Sequence, residues 1–562
     1  MESVAGSGPI ELVQVEVIGS ALASISEEMG EALVRASYSP NIKERRDCTT
    51  CIFDAQGNAL AQAEHIPIHL GSLMGIIDAV LKNYPLADIR DGDTFIGNDP
   101  HTGGGTHLPD IVLVTPVFYE GELKGWVTNL AHHSDYADRG HAHIFQEGIR
   151  IPAVRFMREW RINPEIMRLL LTNFQVPDER VADLNAQIAS NRQGVARFRE
   201  VLDRYGSETV MAAAKHLLDY TERKVRVGIG EIPNGVYEFS DVFDCNELDE
   251  IYDLHVKMTV HDDSLEFEFQ APPQVRAGVN MVKTALLATV FYAVKSVVGP
   301  DVPTNAGLYR AISVTAPEGS LLNCSPPAAV NGRTQTCQRV VDLVLGAFAK
   351  AVPDRVIAAC NGAVTSVTFA GTDPRKDKYY VYLETIGGGL GAGACWDGLD
   401  GVQAHITNTS NLPVESLEAE YPLTVTEYSL IDDSGGLGEH RGGLGIKRSI
   451  RVEHDHCVCD ARLGRTSSRP WGLFGGMPAK GSHAELNGVR EAVASNKMFL
   501  DVGDVVTVHT AGGGGYGDPS RRPLEQVLQD VREGRVSAYT VETTLGLGMS
   551  EIERRVHEGR TE

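Results

Sequence analysis

Imidazoles and carboxylates are concentrated in one short, glycine-rich stretch of this chain. Segment 98–110 reads Asn-Asp-Pro-His-Thr-Gly-Gly-Gly-Thr-His-Leu-Pro-Asp, and His-His-Ser-Asp follows at 132–135. Clustered histidine and carboxylate side chains are typical ligands of a divalent metal, and a mixed nitrogen and oxygen set suits zinc, manganese or iron. The stretch therefore predicts a metal site.

A predicted β-hairpin explains how the two halves of this stretch meet. Residues 111–114 and 126–130 are apolar runs on either side of a glycine turn, which is a hairpin pattern. Antiparallel pairing places the start of the first strand beside the end of the second. The hairpin therefore brings His107, Asp110 and His132 together as candidate metal ligands. The alternative is that these side chains cap turns at the hairpin base.

Length, charge and hydropathy limit the classes of protein to which the chain can belong. The chain has 562 residues, which predicts several domains, and its net charge of -24 is spread along the sequence. This charge argues against a nucleic-acid or anionic-membrane partner. The N-terminus lacks the pattern of a secretion signal, and no window approaches the roughly 20 apolar residues of a membrane span. We expect a cytoplasmic protein whose cysteines are reduced and buried.

The order of helical and strand patterns predicts a multidomain α+β fold. The sheets are expected to be mostly antiparallel or mixed, with a helical insertion and a glycine-rich β C-terminal module. The predicted units are an N-terminal metal-bearing α+β module (1–160), a helical segment (161–230), a central α+β module (231–400), a glycine-rich β module (401–520) and a helical tail (521–562).

Runs of glycine recur at 103–105, 387–389 and 512–515. Glycine-rich loops can bind phosphate groups through backbone amides, but the last run lacks the Lys-Ser/Thr pair of a phosphate-binding loop. The second run lacks the strand and helix context of a dinucleotide site. Close packing of the backbone, or a loop facing a partner, is the favoured interpretation.

Seven motifs, taken together and in order, resemble the HyuB (hydantoinase B) family. This family includes the B-type subunits of ATP-dependent hydantoinases, 5-oxoprolinases and caprolactamase, and is related to acetone and acetophenone carboxylase subunits. The resemblance spans nearly the whole chain. The motifs lie at 39–47, 65–72, 98–110, 146–152, 408–415, 433–445 and 512–518.

The resemblance implies a metal-bearing subunit of an ATP-dependent hydrolase that opens a hydantoin, 5-oxoproline or lactam ring. A HyuA-like ATPase partner would bind ATP and magnesium and phosphorylate the carbonyl oxygen, and metal-bound water would attack the activated carbon. The same resemblance implies His107, Asp110 and His132 as the metal ligands. A dimer of heterodimers is the expected assembly.

Three further residues of this region are candidate catalytic residues. Asp99 is a possible fourth ligand or an orienter of a ligand, although Asn-Asp-Pro is also a turn signal. His133 and Asp135 follow the third ligand directly. Neighbouring residues on a strand point to opposite faces, so His132 and His133 are not expected to share one site.

The segment 136–145 departs from the family pattern, because it is shorter and richer in charge. It adds His141 and His143 as candidate ligands or proton carriers and leaves the substrate open. One alternative function is a subunit of an ATP-dependent ketone carboxylase. Another is a non-catalytic subunit that docks an ATPase and whose metal stiffens the hairpin.

Overall fold

The computed structural model describes residues 12–558, except Glu64, Asp135 and 491–496. Helices and four sheets, three of them entirely antiparallel, make up the described chain, so the predicted α+β class is confirmed. Among the described residues, no helix combines the length and apolar character needed to cross a bilayer. Eight of the nine cysteines are buried, and all nine are free thiols.

Within residues 12–230 the described chain forms one seven-stranded antiparallel sheet with helices on both faces, in the strand order β2-β1-β5-β4-β3-β6-β7. The elements are α1 (Leu12–Ala36), α2 (Pro40–Lys43), β1 (Cys48–Asp54), β2 (Ala59–Gln62), α3 (Ile76–Asn83), β3 (Thr94–Gly97), β4 (Asp110–Tyr119), β5 (Glu122–His132), β6 (Val154–Arg158), β7 (Arg161–Ile162), α4 (Pro164–Asn173), α5 (Pro177–Tyr205) and α6 (Ser207–Gly230).

Side-chain periodicity explains how this sheet is covered. On β5, Val127 faces the core formed with α1 and α5, whereas its neighbour Trp126 faces α3. This alternation is what a strand with two buried faces requires. Helix α1 matches it with apolar residues at helical spacing, including Ile18, Leu22 and Met29. The predicted hairpin is confirmed, and helices α4, α5 and α6 lie within the segment 161–230 that was predicted to be helical.

The central region contains a four-stranded sheet covered by two helices. Its elements are β8 (Gly235–Phe243), β9 (Tyr252–His261), β10 (Ser264–Gln270), α7 (Lys283–Val298), β11 (Ile312–Thr315) and α8 (Arg333–Ala349). Strand β11 pairs in parallel with β10, and the other pairs are antiparallel. Every residue of α8 except Thr334 is buried, so this helix is the centre of the largest apolar core.

The C-terminal region is a sandwich of two four-stranded sheets, ordered β13-β12-β16-β18 and β14-β15-β19-β17. Apolar residues of both sheets share one core, for example Phe369 on the first and Ile450 on the second. The elements are β12 (Thr365–Asp373), β13 (Lys378–Ile386), α9 (Val414–Glu420), β14 (Leu423–Leu430), β15 (Ile446–Val452), β16 (Cys457–Arg462), β17 (His483–Leu486), β18 (Lys497–Leu500), β19 (Val505–His509), α10 (Leu524–Arg532), α11 (Ala538–Leu545) and α12 (Met549–Glu558).

The glycine runs of this region pack backbone against backbone. The amide of Gly443 donates to the carbonyl of Leu390, the amide of Gly513 donates to that of Gly443, and the amide of Gly436 donates to that of Gly513. All four residues are buried or nearly so. Of the two interpretations of these runs, close packing is therefore the one found, because no side chain fits between segments joined in this way.

Candidate metal centre

The base of the β4–β5 hairpin holds three of the predicted side chains together. Asp110 is the first residue of β4 and pairs directly with His132, the last residue of β5. His107 lies in the turn before β4, with its Nε2 3.1 Å from Oδ1 of Asp110. Potential ligand atoms of the three residues lie within 4.8 Å of one another, and all three residues are buried. We call them the His–Asp–His cluster.

The two carboxylate oxygens of Asp110 have different neighbours. Oδ2 of Asp110 accepts from the hydroxyl of Thr106 at 3.1 Å and from Arg333 at 3.2 Å. Oδ1 faces His107. Because three donors occupy Oδ2, among them the backbone amide of Thr106 at 3.4 Å, Oδ1 is the oxygen in place to bind an ion, and the outer contacts fix its direction.

Two asparagine amides orient the histidine rings. The side-chain amide of Asn331 lies 3.1 Å from Nδ1 of His107 and 3.1 and 3.2 Å from the guanidinium nitrogens of Arg462. The amide of Asn41 lies 3.2 Å from Nδ1 of His132. Contacts of this kind hold a ligand ring in one orientation before an ion binds.

The charge states of the cluster suit a cation. Burial and the guanidinium of Arg333 lower the pKa of His107, so its imidazole is neutral at pH 7. Burial alone would raise the pKa of Asp110, but His107 and Arg333 outweigh this effect and hold it well below its ordinary value. A neutral imidazole and an ionised carboxylate are the forms that bind metals.

A further buried histidine lies in the same cleft as the cluster. His69 is buried beside the cluster, and its Nδ1 has no hydrogen-bond partner among the described residues. Burial lowers the pKa of His69, and its Nε2 lies 3.7 Å from Oδ1 of Asp47. A buried polar atom without a partner costs about 1–3 kcal/mol, which an ordered water would offset. The three residues of the His–Asp–His cluster fit a divalent ion.

The His–Asp–His cluster opens onto a cleft of about 920 Å³, counting its open mouth. Residues of all three regions of the chain line it, so the cleft exists only in the folded molecule. The charged and polar side chains of its wall include Arg45, Asp47, His69, Asn331, Arg333, Thr385, Thr409, Asp460 and Arg462.

Nearly the whole chain matches one protein family. The model of the family described as hydantoinase B/oxoprolinase matches residues 11–519, which is nearly the whole chain. The chain belongs to the hydantoinase B/oxoprolinase family. This finding confirms the resemblance drawn from the seven motifs.

Relatives of this family member match it along its length. An uncharacterized protein of Methanocaldococcus jannaschii is 37% identical over 94% of each chain. 5-Oxoprolinase 1 of Arabidopsis thaliana is 32% identical over 90% of this chain but over 42% of the plant protein. Caprolactamase subunit beta of Pseudomonas jessenii is 31% identical over 94% of each chain.

Two solved structures share the fold of this family member. ATP-dependent caprolactamase from Pseudomonas jessenii superposes with a TM-score of 0.87 at 29% identity, covering 96% of this chain and 97% of its own. Acetone carboxylase in its nucleotide-free form has a TM-score of 0.88 at 18% identity, covering 98% of this chain and 83% of its own. At the second identity the likeness concerns the fold alone.

The three predicted catalytic residues are placed differently from the ligands. Asp99 is buried and forms an ion pair with Arg150 at 2.7 Å. His133 points to the opposite face of the strand end, where its Nε2 lies 2.9 Å from Oε1 of Gln187. Asp135 lies outside the described residues. Neither Asp99 nor His133 joins the His–Asp–His cluster, and the catalytic roles of all three stay predictions.

His141 and His143, in the segment 136–145 that departs from the family pattern, also lie apart from the cluster. His141 bridges Oε1 of Glu147, at 3.3 Å, and Arg462, at 2.7 Å. Glu147 in turn accepts from the backbone amide of Asn331 at 2.8 Å. This chain of contacts joins the 136–145 segment to the residue that orients His107. The ring of His143 packs near Phe145.

Several cleft residues were not among the predicted site residues. Asn41 and His69 lie within motifs 39–47 and 65–72, whose resemblance to the family was a usable signal. Arg333 stands at the start of α8, more than 220 residues after Asp110. Neither its spacing nor its sequence context connects it with the metal motif, so only the fold could reveal it.

Replacing Asn41 by alanine is expected to weaken metal binding about 10- to 100-fold while the chain stays folded, because the ring of His132 loses the amide that orients it. Equilibrium dialysis with zinc or manganese measures the change. Asn58→Ala is the matched control, since Asn58 is an exposed turn residue that binds Asp54. Equal affinities in the two variants would contradict a role for Asn41.

A second buried group of potential ligands serves charge balance. Oδ1 of Asp342 lies 2.9 Å from Nε2 of His405, and its Oδ2 accepts from Arg465 at 3.1 Å. The thiol of Cys360 also lies within the group. Burial works against a charged imidazolium, but Cys360 and Asp342 outweigh it and hold the pKa of His405 well above its ordinary value. His405 is therefore a buried cation paired with Asp342.

Replacing His405 by glutamine is expected to lower the free energy of unfolding by about 3 kcal/mol at pH 6, since it removes one partner of a buried ion pair. The folded-state pKa lies above the unfolded value of about 6.5, so this stabilisation is complete below about pH 6.5 and is lost as the pH rises through the folded pKa. Urea unfolding of both proteins at rising pH measures the difference. If the difference in free energy of unfolding stays constant into the alkaline range, His405 is not protonated. His255→Gln, on β9, is the control.

Proposed function

We propose that this chain is the metal-bearing subunit of an ATP-dependent enzyme that hydrolyses a cyclic amide such as a hydantoin, 5-oxoproline or a lactam. The buried His–Asp–His cluster at the wall of the cleft carries the proposal. Membership of a family with relatives named 5-oxoprolinase and caprolactamase supports the substrate class. The ion is zinc, manganese or iron, in keeping with the mixed donor set.

Amide bonds resist hydrolysis because nitrogen donates electrons to the carbonyl carbon. Phosphorylation of the carbonyl oxygen removes that protection, and a water of lowered pKa is then needed to attack. A divalent ion held by His107, Asp110 and His132 would supply Lewis acidity and lower the pKa of coordinated water toward roughly 7. The protein's part is to keep both imidazoles oriented and the carboxylate ionised, which its contacts support.

Three arginines line the same cleft and suit an anionic substrate. Arg45 is held by the carbonyl of Leu383 at 2.9 Å and the hydroxyl of Thr385 at 3.0 Å, while Arg333 and Arg462 contact the cluster and its orienting amide. Guanidinium groups bind carboxylate and phosphate oxygens through paired hydrogen bonds. We assign them to holding a substrate whose carbonyl oxygen carries a phosphoryl group.

His69 is the residue of this cleft best placed to move a proton. Its imidazole is neutral, since burial lowers its pKa, and its Nδ1 has no partner among the residues that the structure describes. Nε2 faces Asp47, which can stabilise the imidazolium formed when Nδ1 takes a proton. We assign His69 to accepting a proton at Nδ1 and returning it to the departing ring nitrogen.

A second subunit completes the proposed enzyme. The caprolactamase relative is named as subunit beta, and this chain covers 42% of the length of the plant 5-oxoprolinase. These findings support a partner, for which we propose a HyuA-like ATPase that binds ATP and magnesium within a dimer of heterodimers. The glycine runs at 387–389 and 512–515 support the assignment of ATP to the partner, because their backbones are packed against each other.

The test is substrate turnover by the chain co-purified with its ATPase partner and supplied with divalent metal. Hydantoin, 5-oxoproline and caprolactam are offered with ATP and without bicarbonate, and ring opening is followed by chromatography. ATP-dependent ring opening supports the proposal. Acid formation from acetone or acetophenone that requires bicarbonate would instead assign the same cleft to a ketone carboxylase.

A further inference from the structure

One face of the C-terminal sheet β14-β15-β19-β17 carries a group of side chains that the proposed reaction does not use. His483 on the edge strand β17 is directly opposite His509 on β19. Glu485 lies two residues after His483, so alternation places it on the same face. The adjacent pair on the two strands, Ala484 and Val508, points into the apolar core on the other face. We call His483, Glu485 and His509 the His–Glu–His cluster.

The geometry of the His–Glu–His cluster brings three potential ligand atoms close together. The two imidazole rings are stacked, with centroids 4.2 Å apart and planes at 10°. Oε1 of Glu485 lies 3.5 Å from Nε2 of His483 and 3.6 Å from Nε2 of His509. Ligand atoms of all three residues lie within 4.8 Å of one another. One carboxylate oxygen therefore lies almost equally far from two ring nitrogens.

Ordinary hydrogen bonding does not account for this arrangement. The two distances from Glu485 exceed the 2.7–3.2 Å of good N–H to O hydrogen bonds. Nε2 of His509 is shielded from solvent and has no hydrogen-bond partner among the described residues. Three potential ligand atoms at these long separations leave room for an ion between them.

The surroundings of the two histidines favour neutral rings. Burial lowers the pKa of both histidines, helped at His483 by the neighbouring His509 and Arg490 and at His509 by Lys447. Lys447, opposite His509 on β15, is already paired with Glu427 at 2.8 Å. The cluster therefore offers two neutral imidazoles and one carboxylate, which are the forms a metal binds.

We propose that His483, Glu485 and His509 bind a divalent transition-metal ion of the zinc type, at a site separate from the His–Asp–His cluster. Two imidazoles and one carboxylate are a known set of zinc ligands that leaves a coordination position open to water. The ion joins the four-residue edge strand β17 to β19, which is hydrogen-bonded on its other side to β15. The inference is independent of the reaction proposed above.

The test uses the full chain without an affinity tag, stripped of metal and titrated with Co²⁺, whose absorption reports histidine ligands. A His107→Ala/His132→Ala variant isolates the new site, and we expect it to bind one ion. Adding His509→Gln or Glu485→Gln is expected to weaken that binding at least ~100-fold, more than loss of an outer contact would. His456→Ala is the matched control, because His456 is exposed and faces one carboxylate, Asp501, at 3.9 Å.

Unchanged Co²⁺ affinity in the His509→Gln and Glu485→Gln variants would overturn the proposal, as would absence of binding by the folded isolating variant. Circular dichroism reports folding. If the isolating variant does not fold, the number of bound ions is measured in the otherwise unaltered chain. The proposal then requires His509→Gln to bind one ion fewer than the unaltered chain, and an equal number overturns it. Failure of ring-opening activity has no bearing on either result.

Discussion

A His107→Ala chain, assembled with its ATPase partner, is expected to keep its fold and lose at least ~100-fold in ring-opening rate. Even removal of a group that only orients a metal ligand costs 10- to 100-fold in metal affinity or activity, and His107 is proposed as a ligand itself. The fold is expected to survive because Asp110 retains Thr106 and Arg333 as partners. Turnover and bound metal are measured on the same preparation.

The matched control is His101→Ala, six residues earlier in the same segment. Nε2 of His101 lies 3.1 Å from the carbonyl of Ala328, outside the His–Asp–His cluster. This control is expected to retain its metal and most of its activity. If His107→Ala instead unfolds or releases the partner, the ion has a structural role and the docking alternative is favoured. Full activity of folded His107→Ala would make the catalytic metal assignment wrong.

Gly513→Ala is expected to destabilise the C-terminal region by at least about 3 kcal/mol, at the upper end of the usual cost of overpacking. A Cβ at Gly513 would lie 2.0 Å from the carbonyl oxygen of Leu390 and 2.7 Å from the amide of Gly391. These atoms are backbone, and hydrogen bonds from Gly443 to Leu390 and from Gly513 to Gly443 prevent the segments from separating. Urea unfolding and the yield of folded protein measure the loss.

Gly548→Ala is the control for this substitution, because a Cβ there meets nothing within 4 Å and the backbone is outside the left-handed region. It is expected to change the free energy of unfolding by less than about 0.5 kcal/mol, as surface substitutions usually do. If Gly513→Ala behaves like Gly548→Ala, the glycine runs are not required for packing, and a loop that faces a partner becomes the better interpretation.

The hairpin that holds the metal motif was predictable because its determinants are local. Two apolar runs on either side of a glycine turn specify antiparallel strands, and this pairing alone places Asp110 opposite His132. His107 follows, since it lies three residues before Asp110 in a tight turn. The order of helices and strands was likewise readable from periodicity, and the seven motifs identified the family.

Other features depended on distances that local sequence does not encode. Alternation of side chains along a strand predicted that His133 would face away from His132. Only the fold shows that His133 contacts Gln187 on α5. The glycine runs had two possible uses, and only the neighbouring backbone decided for packing. The sequence shows that the glycine runs have no side chains. Only the fold shows which backbone segments fill the space that side chains would otherwise occupy.

The sequence by itself determined the family, the fold class and three side chains of the candidate metal site, because these depend on short-range pattern and spacing. The tertiary structure alone placed Arg333 and Asn331 against this site, across more than 220 residues. It also brought His483 opposite His509, two histidines on strands separated by the residues of β18. Such contacts arise when helices and sheets bury their apolar faces against one another, and burial fixes neighbours that no local spacing can specify.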